Sequence, residues 1–147
     1  MSLIENKKAH FNYEILETLE AGIELLGHEV KSIRNKQGSL EGARVIVRGG
    51  EAFVVGSTIP LYQPKNTDAS YVADRNRKLL LSKKEITHVA ETESKKGLTI
   101  VPLSVYNKGR KIKVSIGIVR GKKKHDKRES IKKRETDRDI RRSLKNE

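Results

Sequence analysis

Cysteine is absent from this 147-residue chain. The chain therefore cannot form a disulfide framework, supply a thiol nucleophile or bind zinc through cysteines. Aromatic residues make up only 4% of the sequence. Because single-strand binding platforms depend on exposed rings, base stacking cannot be the main mode by which this chain would bind a nucleic acid.

Long apolar segments are also absent. The first residues, MSLIENKKAHF, lack the apolar stretch of about 7–15 residues that a secretory signal needs. No apolar run reaches the roughly 18 residues of a membrane-spanning helix. We therefore expect a cytoplasmic protein without membrane contact, and the length allows one compact domain with an appendage.

Positive charge is abundant, because 32 Lys and Arg stand against 19 Asp and Glu and leave a net charge of +13. The natural partner of such a surplus is a polyanion. Residues 120–147 hold 13 basic and 6 acidic side chains and few large aliphatic ones. We expect these residues to form a basic C-terminal tail, disordered when free and helical on contact with a partner. A solvated tail that only aids solubility is the alternative.

Residues 1–119 are predicted to form a mainly β domain. The clearest strand lies near its end, where Ile112, Val114, Ile116 and Ile118 alternate with Lys111, Lys113, Ser115 and Gly117. The turn residues 107–110 predict a hairpin with the preceding strand, in which Pro102 indicates an edge position or a bulge. A second hairpin is expected around Gly49-Gly50, and an opening strand around Phe11, Tyr13 and Ile15.

Two segments have helical spacing. In the first, Leu26, Val30 and Ile33 form an apolar stripe and Gly38 is placed to end the helix. In the second, Ser82 and Glu85 match a capping box, Ile86, Val89 and Ala90 form the buried face, and Gly97 is placed at the end. Strands at short spacing with two short helices favour a small oligonucleotide-binding-type β-barrel over an open sandwich.

Enzymatic chemistry has little support. The histidines, His10, His28, His88 and His125, show no metal-ligand spacing, and no phosphate-binding glycine loop occurs. Asp68 and Asp74 share the long polar loop between Tyr62 and Asn76, so a magnesium-dependent nuclease is one alternative. We expect no catalytic residue, metal or cofactor.

RNA binding by shape and phosphate agrees better with the composition. Three clusters of basic residues are the candidates. They are Arg75, Arg77 and Lys78; Lys111 and Lys113; and Lys122, Lys123, Lys124, Lys127 and Arg128. A ribosomal structural or assembly protein that binds structured ribosomal RNA would share these features and is the second alternative.

Several sequence blocks resemble the small protein B family, the SsrA-binding proteins of bacterial trans-translation. The blocks are ENKKAHFNYEI, LEAGIELLGHEVKSIRNKQGSL, RGGEAFVVGSTIPLY, RNRKLLLSKKEI and KGLTIVPLSVYNKGRKIKVSIGIVRGKKKHDKRE. The resemblance covers nearly the whole chain in order. It implies a noncatalytic, monomeric barrel that binds the tRNA-like domain of transfer-messenger RNA and delivers it to stalled ribosomes. Elongation factor Tu is a further candidate partner.

The resemblance also implies RNA-contacting residues in the barrel. They would be Asn6, Glu20 and Leu80, while Ser82 stands where some family members have an asparagine contact. A carboxylate at Glu20 could accept hydrogen bonds from base amino groups or the ribose 2′-hydroxyl. The alternative for Glu20 is an ordinary strand carboxylate. The sequence does not decide which of Leu79, Leu80 and Leu81 points outward.

For the tail, the resemblance implies contact with the ribosomal decoding centre and the empty messenger channel. The matching residues are Gly121, Lys122, Lys123, Lys124, His125, Asp126, Lys127 and Arg128. Gly121 would let the chain turn out of the barrel, and the His125 ring could stack on an exposed ribosomal base. The alternative for His125 is an exposed residue in a charge run. Residues 128–142 would become helical in the channel.

Overall fold

The structure is a computed structural model that describes residues 2–62 and 70–122. These residues form seven strands and three short helices. The strands are β1 (Ser2–Glu5), β2 (Tyr13–Ile23), β3 (Arg44–Arg48), β4 (Glu51–Val55), β5 (Arg77–Leu80), β6 (Leu98–Lys108) and β7 (Lys111–Gly121). The helices are α1 (Lys7–Asn12), α2 (Gly27–Arg34) and α3 (Lys83–Glu93).

All strands belong to one antiparallel sheet in the order β1-β6-β7-β2-β5-β4-β3. The sheet curls so that its edge strand β3 packs against β6 without being hydrogen-bonded to it. The main core lies inside this curl. Partial closure of a short-stranded sheet is the architecture of oligonucleotide-binding folds. The predicted mainly β fold of this type is therefore confirmed.

Both predicted hairpins are present. Gly49 and Gly50 join β3 to β4 with φ of 61° and 75°, which glycine adopts without steric cost. Gly109 and Arg110 join β6 to β7. The alternation in β7 is also confirmed, because Val114, Ile116 and Ile118 are buried on the core side.

Pro102 lies in β6, which has β1 on one side and β7 on the other, so it is not in an edge strand. The β6–β7 register shifts between Pro102 and Ser104. A bulge accommodates a residue that has no N–H to donate to the ladder. Of the two predictions for Pro102, the bulge is confirmed and the edge position is wrong.

Helix α1 was not expected from the sequence. The predicted opening strand is confirmed only from Tyr13 onward, because Phe11 lies in α1. Ala9 packs on the outer side of the sheet, in a second small cluster with Val101, Leu103 and Val119. A helix of 6 residues has too few turns to show a helical period, which is why the sequence pattern did not reveal it.

Asn6, one of the residues predicted to contact RNA, is the N-cap of α1. The residue is only 4% exposed. Its Oδ1 accepts from the Ala9 N–H at 3.2 Å, and its amide nitrogen donates to Leu40 O at 3.2 Å and Pro102 O at 2.9 Å. The side chain is therefore occupied in joining α1 to the barrel, as a buried polar group requires.

Both predicted helices exist, but they end before the glycines assigned to stop them. α2 ends at Arg34, and Lys36 (φ 60°) is the first residue after it with a positive φ; Gly38 (φ 145°) follows two residues later. α3 begins with the expected capping box between Ser82 and Glu85 and ends at Glu93. Val89 is buried as predicted.

The buried face of α2 differs from the predicted stripe. Leu26 is exposed, whereas Glu29 is completely buried together with Ser32 and Ile33. The Glu29 carboxylate accepts from Arg77 Nε and Nη2 at 3.0 and 2.8 Å, from Arg75 Nε at 3.0 Å and from Tyr71 Oη at 2.8 Å. This cluster ties α2 to β5 and to the chain just before β5.

Arg77, one of the residues predicted to contact RNA, has a side chain that is 0% exposed in this structure. Arg75 is 31% exposed, but its guanidinium is bound to Glu29. Burial disfavours ionisation of Glu29. Hydrogen bonds from Arg75, the Leu26 amide and Arg77 outweigh that effect and lower the pKa of Glu29 to about 2.

We predict that Glu29 makes the fold sensitive to acid. Its pKa is depressed from 4.5 to about 2, so its contribution is complete above pH 4.5 and is lost as the pH falls toward 2. The loss should amount to about 3 kcal/mol of unfolding free energy. Urea denaturation at a series of pH values measures it.

The variant Glu29→Gln should lower the unfolding free energy at pH 7 by about 3–5 kcal/mol, because it leaves two arginines without a charged partner. The variant should also remove most of the pH dependence of the unfolding free energy below pH 4.5. Glu91→Gln, at an exposed position on α3, is the control. If the unfolding free energy of Glu29→Gln depended on pH as strongly as that of the wild type, other carboxylates would be the cause of the acid sensitivity.

Candidate nucleic-acid interface

The outer side of the sheet carries a row of residues from four neighbouring strands. Leu80 of β5 pairs with Gly22 of β2, Gly22 pairs with Lys113 of β7, and Lys113 pairs with Tyr106 of β6. Paired residues of antiparallel strands project to the same face. We call this face, with Glu20, Lys108 and Lys111 beside the row, the outer face.

The structure decides which leucine of the triplet points outward. Leu79 is 1% exposed, whereas Leu80 is 52% exposed. The Leu80 side chain lies against Gly22. Any larger residue at position 22 would place its Cβ only 3.1 Å from Leu80 Cβ. A large aliphatic side chain is thus exposed to water on a face that is otherwise rich in cations.

Glu20 lies two residues before Gly22 on the same face of β2 and is held in place by two donors. Its Oε1 accepts from Lys108 Nζ at 2.9 Å, and its Oε2 accepts from Tyr106 Oη. The hydrogen bond from Tyr106, and then that from Lys108, lower the pKa of Glu20. Burial and the hydrogen bond to Glu20 raise the pKa of Tyr106 to about 12. The outer face therefore presents one fixed, ionised acceptor among cations.

The remaining predicted barrel residues occupy different surroundings. Lys111 is exposed and Lys113 is half-buried on the outer face. Lys78 also points outward from β5, but its Nζ lies 3.0 Å from Glu51 Oε1, and this hydrogen bond raises its pKa. Ser82 Oγ accepts from the Glu85 N–H at 3.2 Å, so its acceptor is used by the helix cap.

Sequence reasoning missed four residues of this region: Arg34, Tyr106, Lys108 and Arg110. Tyr106 and Lys108 could have been found, because a two-residue turn at Gly109-Arg110 pairs Lys108 with Lys111 and Tyr106 with Lys113. Arg34 and Arg110 could not, because only the packing of α2 brings Arg34 Nη2 to 3.1 Å from Arg110 O.

The start of the predicted tail is still part of the barrel. β7 continues to Gly121, which pairs with Tyr13, and the Lys122 N–H donates to Asn12 O at 3.0 Å. Gly121 is therefore in extended backbone and does not turn the chain away at that point. The other predicted tail residues, Lys123, Lys124, His125, Asp126, Lys127 and Arg128, lie outside the described residues, as do the rest of residues 123–147.

No three His, Asp or Glu side chains in residues 2–62 and 70–122 form a cluster that could hold a metal ion. Of the two loop aspartates considered for a nuclease, Asp74 is exposed and Asp68 lies outside the described residues. His88 Nε2 lies 2.8 Å from Glu17 Oε2, and the His28 ring meets the Tyr71 ring edge-on. None of the helices in the described part of the chain is long and apolar enough to cross a membrane.

Comparison with known proteins gives consistent matches over nearly the whole chain. The family described as SmpB protein matches residues 3–146. An SsrA-binding protein of Ligilactobacillus salivarius is 50% identical over 145 residues, covering 99% of this chain and 93% of the relative. An SsrA-binding protein of Mesoplasma florum is 52% identical over 133 residues, covering 90% of this chain and 89% of the relative.

A solved structure is also similar. It is described as "tmRNA-SmpB: a journey to the center of the bacterial ribosome". The match has a TM-score of 0.69 at 40% sequence identity, and it covers 87% of this chain and 93% of the other. Sequence and fold therefore point to the same group of proteins.

We predict that Tyr106 controls the ionisation of Glu20. The variant Tyr106→Phe removes the largest cause of the lowered pKa, so the pKa of Glu20 should rise toward its ordinary value of 4.5. NMR titration of the Glu20 side-chain carboxyl carbon measures it. Lys108→Ala should also raise the pKa, because it removes both a hydrogen bond and a neighbouring positive charge. Equal pKa values in the wild type and Tyr106→Phe would contradict the assignment.

Proposed function

This chain belongs to the SmpB family, and we propose from that membership that it binds SsrA RNA, the transfer-messenger RNA, and delivers it to the ribosome for trans-translation. It is an RNA-binding adaptor and not an enzyme. Its partners are the transfer-messenger RNA and the bacterial ribosome. A protein that acts on ribosomes works in the cytoplasm, which is the compartment we propose.

The outer face is the surface that we propose for the RNA. The observation that carries this assignment is the row Leu80, Gly22, Lys113 and Tyr106, with Glu20 fixed beside it. Lysines on such a face neutralise phosphates without regard to sequence. A fixed carboxylate instead accepts hydrogen bonds, which phosphates do not donate and which base amino groups and ribose 2′-hydroxyls do.

The net charge of +13 gives this binding a strong electrostatic component. Cations that neutralise phosphates release counterions, so affinity should fall steeply with salt. Stacking has a small part, since only 4% of residues are aromatic and Tyr106 is occupied with Glu20. Recognition of a folded RNA such as the tRNA-like domain, by its shape and 2′-hydroxyls, fits these features.

We also propose that the chain works in two parts, a barrel for the RNA and a C-terminal tail for the ribosome. Residues 123–128, KKHDKR, would contact the decoding centre, with His125 stacking on an exposed base. Residues 128–142 would become helical in the empty messenger channel. Because β7 and the Lys122 amide belong to the barrel, we set the functional boundary after Lys122.

The variant Glu20→Ala tests the barrel. Loss of charged hydrogen bonds should weaken binding to the tRNA-like domain roughly 10- to 100-fold. Removal of an anion from a cationic face should at the same time strengthen binding to an unrelated RNA duplex. Equilibrium binding at fixed salt measures both, and circular dichroism checks the fold.

Glu91→Ala is the matched control for Glu20→Ala, because it removes an exposed carboxylate from α3, away from the outer face. It should leave the affinity for the tRNA-like domain unchanged. If Glu20→Ala behaved in the same way as this control, Glu20 would not belong to the interface.

Truncation after Lys122 tests the division into two parts. The shortened protein keeps β7 complete, so it should bind the tRNA-like domain within a fewfold of the full chain at moderate salt. It should fail to support peptide tagging on stalled ribosomes in a reconstituted translation system. A truncated protein that still supported tagging, or one that no longer bound the RNA, would contradict the division.

A further inference from the structure

The edge strand β3 has a peptide group that faces away from its partner strand. Among the described residues, β4 is the only strand hydrogen-bonded to β3. Arg48 pairs with Glu51 across the two-residue turn at Gly49-Gly50. Arg48 therefore exchanges hydrogen bonds with β4, and the N–H and C=O of its neighbour Val47 point outward. Outward groups on an edge strand can pair with a strand of another chain.

Two side chains occupy both outward groups of Val47. Glu93, the last residue of α3, accepts from the Val47 N–H through Oε2 at 3.1 Å. Arg48 Nη1 donates to Val47 O at 2.6 Å and to Glu93 Oε1 at 2.9 Å. A neighbouring antiparallel strand would present the same two groups, one acceptor and one donor. The carboxylate and the guanidinium thus take the place of a further strand.

The rest of this edge is closed by packing. Val45 is the other residue whose N–H and C=O face away from β4, because these groups alternate in direction along a strand. It is only 2% exposed, and β6 packs beside β3. The segment Val45-Ile46-Val47 consists of β-branched residues, which are strong strand formers. Val47 is therefore the point where side-chain hydrogen bonds, rather than packing, close a strand that is well suited to pairing.

We propose that Arg48 and Glu93 cover β3 against pairing with β3 of a second copy of this chain. The pairing that they prevent has a two-fold axis at Val47, so that the Val47 residues of the two copies would exchange N–H···O hydrogen bonds. The inference goes beyond the proposed function and does not depend on it, because Arg48, Val47 and Glu93 lie outside the outer face.

Symmetry and charge select the partner and the register. Two identical antiparallel strands can pair through the same residues about a two-fold axis, so a second copy fits this edge without further adjustment. An axis at Val47 places Arg48 opposite Ile46 of the second copy. An axis at Ile46 would instead place Arg44 opposite Arg48 twice, and like charges directly opposite are destabilising. The register centred on Val47 is therefore the one that needs a cover.

The variant Glu93→Ala tests the cover. It frees the Val47 N–H and leaves Arg48 without its carboxylate, so pairing no longer has to break these contacts in each copy. The self-association constant should rise about 10- to 100-fold over that of the wild type. Sedimentation equilibrium of the full-length protein without RNA measures it. Moderate salt is needed, because each copy carries a net charge of +13 and the copies repel one another.

Glu91→Ala is the matched control, because it removes an exposed carboxylate from the same helix and changes the net charge by the same amount. It should self-associate no more than the wild type. Equal self-association of Glu93→Ala and Glu91→Ala would overturn the proposal. Particles of Glu93→Ala larger than a dimer would also overturn it, because two-fold pairing of this edge is complete with two copies.

NMR locates the interface. At low protein concentration, the Val47 amide hydrogen should exchange faster in Glu93→Ala than in the wild type, and its protection should return as the concentration rises. In a mixture of labelled and unlabelled Glu93→Ala, the α hydrogens of Ile46 and Arg48 should show an intermolecular contact, because these residues form a close pair that is not hydrogen-bonded. Unchanged exchange at Val47, or a dimer without this contact, would overturn the proposal.

Arg48→Ala gives a second test that leaves α3 unchanged, and it decides the matter if Glu93→Ala does not fold by circular dichroism. It removes the donor to Val47 O and should also strengthen self-association. Arg44→Ala is its control, because it removes an exposed cation from the same strand and changes the net charge equally. If Arg48→Ala associated no more strongly than Arg44→Ala, the loss of a positive charge would explain any effect and the cover would be wrong.

Discussion

The buried carboxylate of Glu29 is the constraint on which the binding side of this molecule depends. It joins α2 to Arg75 and Arg77, and Arg77 lies in the same strand as Leu80. These hydrogen bonds fix the position of α2 relative to β5. Buried ion pairs add little net stability over apolar packing, but they favour one arrangement of the groups they join. A defined surface needs that specificity more than it needs additional stability.

As the proposed RNA surface, the outer face would meet two needs common to RNA-binding proteins, charge for affinity and something other than charge for selectivity. Lys111 and Lys113 would supply the charge. Glu20 would supply the selectivity, since a carboxylate repels phosphates unless hydrogen-bond donors of the RNA compensate for it. Tyr106 and Lys108 already hold that carboxylate ionised and oriented in the free protein, so less conformational freedom would be lost on binding.

Local features of the fold could be predicted, and long-range ones could not. Turn glycines, strand alternation in β7 and the capping box at Ser82 depend on neighbours within a few residues, and all three are confirmed. Asn6 and Arg77 were expected at the surface, because a polar side chain in a basic segment suggests an exposed position, whereas the structure shows both buried. Their partners, Leu40 and Glu29, lie 34 and 48 residues away. Alternation with the buried Leu79 was the one local sign that Arg77 points inward.

The sequence by itself determined the class of the protein. Its charge, its lack of cysteine and its ordered motifs are properties of the chain that do not depend on packing, and they indicate an RNA-binding β domain of a known family. Only the tertiary structure decided which residues meet at the surface. Glu20, Leu80, Arg34 and Lys113 are separated in the chain and are brought together by strand register and helix packing. The physical reason is that burial and long-range hydrogen bonds, rather than residue type, determine whether a charged side chain is free to bind a partner.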